Sequence, residues 1–289
     1  ESTGISAAPL SSKGISNFNY PEDSTRINEW VVNNNHKAIA QHGWGIWTAL
    51  NQVTRQVIDG QRLRVFETWF TPSEIKKAIR ASDEGGEMQM EAIKQNRGEL
   101  SKPNQFLHAS SALAKAGLSA NDDSSRILGF VKYNLPAARF TVENKLYKQS
   151  ILQGMLDRGM TDIPDFPNNA MTLKPSFEII TQKELNENGG YFKLNVWSGP
   201  PSPAKASPEG SWASNIYIDP NNGGKGNGGA DSGNGRTPEN TYNLTDFVYF
   251  KLDAQTVSNL KSNLSIEANE GNIAVLVAMH VISKETKDL

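Results

Sequence analysis

The chain has 289 residues and a formal charge of −2, from 29 Lys and Arg against 31 Asp and Glu. That balance argues against nucleic acid or any other general electrostatic partner. Apolar residues make up 37% and cysteine is absent, which supplies a core while excluding disulfides, thiolate metal sites and a cysteine nucleophile.

The chain opens on Glu1-Ser2-Thr3-Gly4 without a Met, which reads as a mature protein after removal of a leader or as a trimmed chain. Together with the missing cysteine, this sets the expectation of a secreted or periplasmic bacterial protein. Residues 1–19, rich in Ser, Gly and Asn without periodicity, read as a flexible arm. Asp23 or Ser24 then caps a helix with Ile27, Trp30 and Val31 on one face, ending near Asn33-Asn34-Asn35 or shortly beyond His36. Gly43-Trp44-Gly45 reads as a turn and Arg62 to Phe70 as a strand. The tetrad Thr71-Pro72-Ser73-Glu74 predicts an N-cap, a proline at the first helical position and a capping-box glutamate for a helix from 72 to about 80. Glu87 to Arg97 and Phe106 to Ala116 each precede a glycine that suits a helix stop. Val142 to Arg158 gives the strongest helical pattern, closed by Gly159.

After Pro164 the grammar changes to short alternating runs between Pro, Gly and Asn clusters, predicting strands near 172–180, 191–197, 212–218, 244–252 and 272–283. A helix or turn at Asp253 to Leu264 intervenes. The longest apolar run, Ile273 to Ile282, suits a buried strand and falls well short of the ~20 residues of a membrane helix. The pattern predicts an α+β fold, with a helical N-terminal half packed on a mainly antiparallel β-sheet or sandwich in the C-terminal half. Residues 20–289 read as one domain, with a sub-boundary near 160–170 as the alternative. Asp219 to Thr241, with seven Gly and five Asn, reads as a flexible insertion, a lid, or a calcium loop using Asp219, Asn221 and Asp231.

Four histidines, at 36, 42, 108 and 280, lack the spacing that sets two ligands on one helix face, so neither a metal nor another cofactor is expected. His42 precedes Gly43-Trp44-Gly45-Ile46-Trp47, so it either presents an imidazole beside aromatic walls or simply closes the preceding helix. His280 shares a strand face with Leu276, Ala278 and Ile282, as a core histidine or a catalytic one. Glu67, between Phe66 and Trp69, is the candidate general acid, with Asp165 or Glu285 as a second carboxylate; salt-bridging to Arg62 or Arg64 is its structural alternative. Trp197 and Trp212 bracket the Pro-rich run Ser198 to Pro203, where an exposed ring face would bind a sugar and a buried one would belong to the core.

His42-Gly43-Trp44, Phe66-Glu67-Thr68-Trp69, Ile163-Pro164-Asp165-Phe166-Pro167, Leu173-Lys174-Pro175, Trp197-Ser198-Gly199-Pro200 and Met279-His280-Val281 with Lys284-Glu285 together resemble a group of uncharacterised exported bacterial proteins. The resemblance implies export and brings no activity; in that group the last strand continues into a Trp-rich segment, whereas this chain stops at Asp288-Leu289. The functional expectation is a ligand-binding or interaction protein for a glycan, a small molecule or other cell-envelope material, using Trp44, Trp69, Trp197 and Trp212. A hydrolase with Glu67 as general acid assisted by His42 or His280 is the alternative. A secreted toxin or effector is a third reading.

Overall fold

The computed structural model describes residues 5–58, 60–83, 127–197, 212, 214–231, 233, 235–264 and 266–286. The fold is α+β, with helices mostly in the N-terminal part and strands more in the C-terminal part. The expected helices at Glu87 to Arg97 and Phe106 to Ala116 lie outside the described residues. The chain divides into two compact units, the first made of Glu1–His108, Phe130–Lys174 and Met279–Leu289, the second of Ala109–Gly129 and Pro175–Ala278.

In the first unit, α1 (Ser24–Val32) is capped by Asp23, which accepts from the amides of Thr25 and Arg26. The three asparagines that follow stop one helix and start the next. Asn34 takes a left-handed conformation (φ 50°), the amides of Asn34 and Asn35 return to the carbonyls of Val31 and Trp30, and the Asn35 side chain then caps α2 (His36–Leu50). Gly43-Trp44-Gly45, expected as a turn, falls inside α2. Gly45 is there for packing: it is buried, and a Cβ on it would overlap the ring of Phe18 from the N-terminal arm. Gly43 faces open space. Gly45→Leu is therefore expected to cost about 2 kcal/mol by overpacking, whereas Gly43→Ala should add up to about 1 kcal/mol of helix propensity; paired urea titrations check both signs.

β1 (Val53–Ile58) and β2 (Gln61–Arg64) form an antiparallel hairpin. The expected strand Arg62 to Phe70 ends early, because the chain turns into a 3₁₀ segment, Phe66–Thr68. The Glu67 carboxylate accepts from the Arg64 amide at 2.8 Å and fixes that turn. Thr71 and Glu74 form the expected reciprocal cap of α3 (Pro72–Asp83): the Thr71 amide donates to Glu74 at 2.7 Å and the Glu74 amide to Thr71 Oγ1 at 3.3 Å.

The single helix expected over Val142 to Arg158 is two, α4 (Leu135–Glu143) and α5 (Gln149–Asp157). Lys145 (φ 51°) ends α4, with Lys145 N bonded to Val142 O and Leu146 N to Thr141 O. This is the closure a glycine normally makes, so composition alone hides it. Phe70, Ile75, Ala78, Ala138 and Val142 form the core between these elements.

β3 (Ile127–Gly129), β4 (Lys132–Tyr133), β5 (Met171–Ile180), β9 (Tyr249–Lys251) and β10 (Ile273–Ser283) form one five-stranded sheet in the order β3-β5-β10-β9, with β4 also on β5. β5 alternates buried and half-buried residues. Its Pro175 falls between the β4 pairing, which ends at Leu173, and the β3 pairing, which starts at Ser176, so the missing N–H breaks neither of those ladders.

In the second unit, α6 (Gln182–Glu187) starts at a Thr181–Glu184 capping box, and β6 (Phe192–Val196) pairs antiparallel with β7 (Ser214–Asp219). β7 runs parallel to β8 (Thr241–Asn243). The expected strand at 244–252 is interrupted by a 3₁₀ turn, Leu244–Asp246, where the Asn243 amide donates to Asp246 Oδ2 at 2.9 Å. Asp253 caps α7 (Ala254–Asn259), which continues into a π-type turn at Leu260–Leu264. Ile180, Phe192, Leu194, Ile218, Leu244 and Val275 make the core of this unit.

Candidate functional site

Two places gather chemistry, one in each unit. In the first unit, α2 presents His42 to Glu285, just beyond β10. His42 Nε2 is 3.1 Å from Oε1 and 3.2 Å from Oε2 of a carboxylate that is 2% exposed. Glu285 also accepts from the Glu22 amide at 2.7 Å and from Ser283 Oγ at 2.8 Å. Because the carboxylate only accepts, Nε2 is the donor in this contact. His42 Nδ1 makes no hydrogen bond to a described residue. The rings of Phe18 and Trp30 flank it, with centroids at 5.4 and 5.8 Å.

Tyr20 lies in the same neighbourhood and donates to Asn169 O at 3.0 Å. Burial, and secondarily the Glu285 charge, push its phenol far above the ordinary 10.0; burial also raises Tyr133. A raised pKa favours the neutral phenol of the folded chain. Its contribution is therefore complete below about pH 10, where an unfolded tyrosine ionises, and is lost as pH rises beyond that. Melting temperature should fall with pH in the alkaline range, and Tyr20→Phe should flatten that fall while removing the Asn169 hydrogen bond. A wild-type slope equal to that of Tyr20→Phe above about pH 10 would contradict this assignment.

The other candidates disperse. Glu67 is 3% exposed and holds the Arg64 amide; neither His42 nor His280 hydrogen-bonds it. His280 is exposed on β10, so it is not a core histidine. Trp69 is fully buried and donates Nε1–H to Ala8 O at 2.8 Å, tying the N-terminal arm to the core. Trp44 is 68% exposed on α2. Trp197 is partly exposed and Trp212 half-buried, just past the end of β6 and just before β7, while the Pro-rich run 198–203 lies outside the described residues. Trp44 and Trp69 belong to the first unit, Trp197 and Trp212 to the second.

The second place is a cleft of about 500 Å³ in the second unit. Its walls include Asn221 and Asn222 from the Gly/Asn-rich loop, Tyr249 and Lys251 from β9, and Asn272 with Ile273 at the start of β10. None of the four candidate tryptophans lines it. The Asn221 side chain, Asn272 Nδ2, Tyr249 Oη and Lys251 Nζ have no hydrogen-bond or ion-pair partner among the described residues. Ile180, Leu244 and Ile273 add apolar surface.

The loop that supplies part of this wall is built rather than loose. Asp219 accepts the amides of Asn221 and Gly223 at 2.7 and 2.8 Å, and Asp231 repeats the pattern with Gly233 and Gly235 at 2.9 Å each. Backbone N–H groups thus occupy the carboxylates that the calcium reading would use. Among the described residues, no group of three His, Cys, Asp or Glu side chains gathers as a metal site requires. Sequence reasoning named Asn221, in that calcium reading, but missed Tyr249, Lys251 and Asn272; their only signal was polar residues at the ends of adjacent strands.

Among the described residues no helix is long and apolar enough to cross a membrane. Comparison with known proteins finds no matching family model, no matching curated protein and no matching solved structure.

Proposed function

We propose that this chain is an exported bacterial ligand-binding protein for a glycan or similar oxygen-rich cell-envelope material, with its site in the cleft of the second unit. The observation that carries the reading is the set of polar groups on Asn221, Asn272, Tyr249 and Lys251, without partners among the described residues, around a cleft of about 500 Å³. That volume is in the range of small-molecule sites. Amides and a phenol match hydroxyl groups as both donors and acceptors, while Ile180, Leu244 and Ile273 offer the apolar contact that a sugar ring face takes. This reading keeps the expected ligand class and moves the site away from the tryptophans.

A glycan array followed by saturation-transfer NMR on each retained glycan tests it. Asn221 is exposed and its side chain makes no hydrogen bond to a described residue, so Asn221→Ala should weaken binding severalfold with an unchanged melting temperature. Retention that depends only on Trp44 or Trp197 would return the site to the aromatic surface, and no retention at all would end the glycan reading.

A second reading, hydrolysis of such material, is favoured by one feature: the His42–Glu285 pair leaves Nδ1 unbonded for proton transfer. Product analysis by mass spectrometry tests it, with turnover expected to vanish in His42→Gln.

A further inference from the structure

Resting on the binding reading, we infer that the saccharide held in the second unit carries a carboxylate, received by Lys251. Among the described residues, the cleft walls contain one formal cation, Lys251, and no Asp or Glu. Three acidic residues adjoin wall residues in sequence, and two of them are already satisfied. Asp219, before Pro220, is 6% exposed and turned onto the amides of Asn221 and Gly223. Glu184, between Gln182 and Leu185, is 6% exposed and receives the Thr181 amide and hydroxyl at 2.8 and 2.7 Å. Neither sets a free negative charge against a ligand; the third, Glu270 before Gly271, is exposed and is not among the lining residues.

The unsatisfied groups of the wall lean toward donors. Lys251 Nζ and Asn272 Nδ2 can only donate, and Tyr249 Oη can do either. Asn272 Oδ1, the acceptor half of that side chain, is held by the Asn269 amide at 2.9 Å, which orients Nδ2 as the free end. A second cation without an ion pair among the described residues, Arg236, stacks 3.9 Å over the ring of Tyr191, the residue after cleft-lining Gly190. A cationic ligand would find no counter-charge among the described residues that line the cleft. A carboxylated sugar would find an ammonium for its charge, amide and phenol groups for its hydroxyls, and apolar side chains for its ring. Lys251 is exposed, so the charge contact is partly screened by solvent and salt, and selectivity rather than high affinity is its expected effect.

The test uses the full chain and two matched panels: glucuronate, galacturonate and N-acetylneuraminate against glucose, galactose and N-acetylglucosamine, by calorimetry and saturation-transfer NMR at low and raised salt. At least one carboxylated sugar should bind roughly tenfold more tightly than the neutral sugars, a difference of about 1.4 kcal/mol. Raised salt should shrink that preference. Lys251→Met, which keeps the side-chain stem, should erase it, and Lys251→Arg should retain it; circular dichroism confirms that both variants fold. Neutral and carboxylated sugars bound alike, or a preference untouched in Lys251→Met, overturns the charge assignment and leaves the glycan-binding reading standing. No sugar of either panel bound overturns both.

Discussion

Lys132→Ala is expected to remove about 4 kcal/mol of folding stability, the largest loss from any single substitution considered for this chain. Lys132 is fully buried, and its ammonium donates to Glu67 O at 2.9 Å and Trp69 O at 3.2 Å, the carbonyls of the 3₁₀ turn and the residue after it. Its Nζ also lies 5.9 Å from the centre of the Phe130 ring. Truncation empties the volume of the stem and removes the ammonium donor that both carbonyls share. Lys132→Met separates the two terms, because it restores most of the volume and none of the hydrogen bonds. Urea denaturation should place Lys132→Met between wild type and Lys132→Ala with an unchanged m-value. A Met variant as stable as wild type would show that the ammonium contributes nothing net. Glu67→Gln should lower stability by a smaller step, since its amide oxygen still accepts from the Arg64 amide, and should leave ligand binding in the second unit unchanged.

Local chemistry in this chain was legible wherever one side chain decides the backbone. Asp23, Thr71 with Glu74, Gly159 and Asp253 act at the helix ends where their residue types place them. What escaped was decided by partners far along the chain. Gly45 reads as a turn residue until the Phe18 ring from the N-terminal arm is seen to need its space. Lys145 gives no stop signal because it adopts the left-handed conformation without being glycine. The Gly/Asn-rich loop looked too polar to order, yet its glycines allow close backbone approach: a Cβ on Gly224 would overlap Thr241 O, and one on Gly228 would overlap Glu239. Gly226 N bonds to Thr241 O and Gly228 N to Glu239 O, so the loop is held as an added layer beside β8. The candidate site followed the same division. His42 and Glu285 were each suggestive alone, and only the fold brings residues 243 positions apart to 3.1 Å. The cleft residues carry no motif, because recognition of hydroxyl groups needs common amides rather than a rare residue type.

Glu285→Ala is expected to cost about 3 kcal/mol and to loosen three segments at once. The carboxylate joins the Glu22 amide just before α1, the His42 imidazole of α2 and the Ser283 hydroxyl of β10. Removing it leaves a partly buried amide and an imidazole N–H without this acceptor. His42→Ala should cost less, about 1–2 kcal/mol, because Glu285 keeps two of its donors. A double-mutant cycle then isolates the pair: coupling of at least about 1 kcal/mol is expected for a contact whose carboxylate is withdrawn from solvent. Hydrogen exchange should show the Glu22 amide as the position most accelerated in Glu285→Ala, and little changed in His42→Ala. If the two variants accelerate it equally, the imidazole rather than the carboxylate anchors that segment, and the order of the predicted losses reverses. Glu285→Ala set beside His42→Gln discriminates the hydrolytic reading. A structural clamp makes Glu285→Ala the more damaging change for stability and leaves no turnover to lose, whereas proton transfer at Nδ1 makes His42→Gln the more damaging for turnover at nearly constant stability.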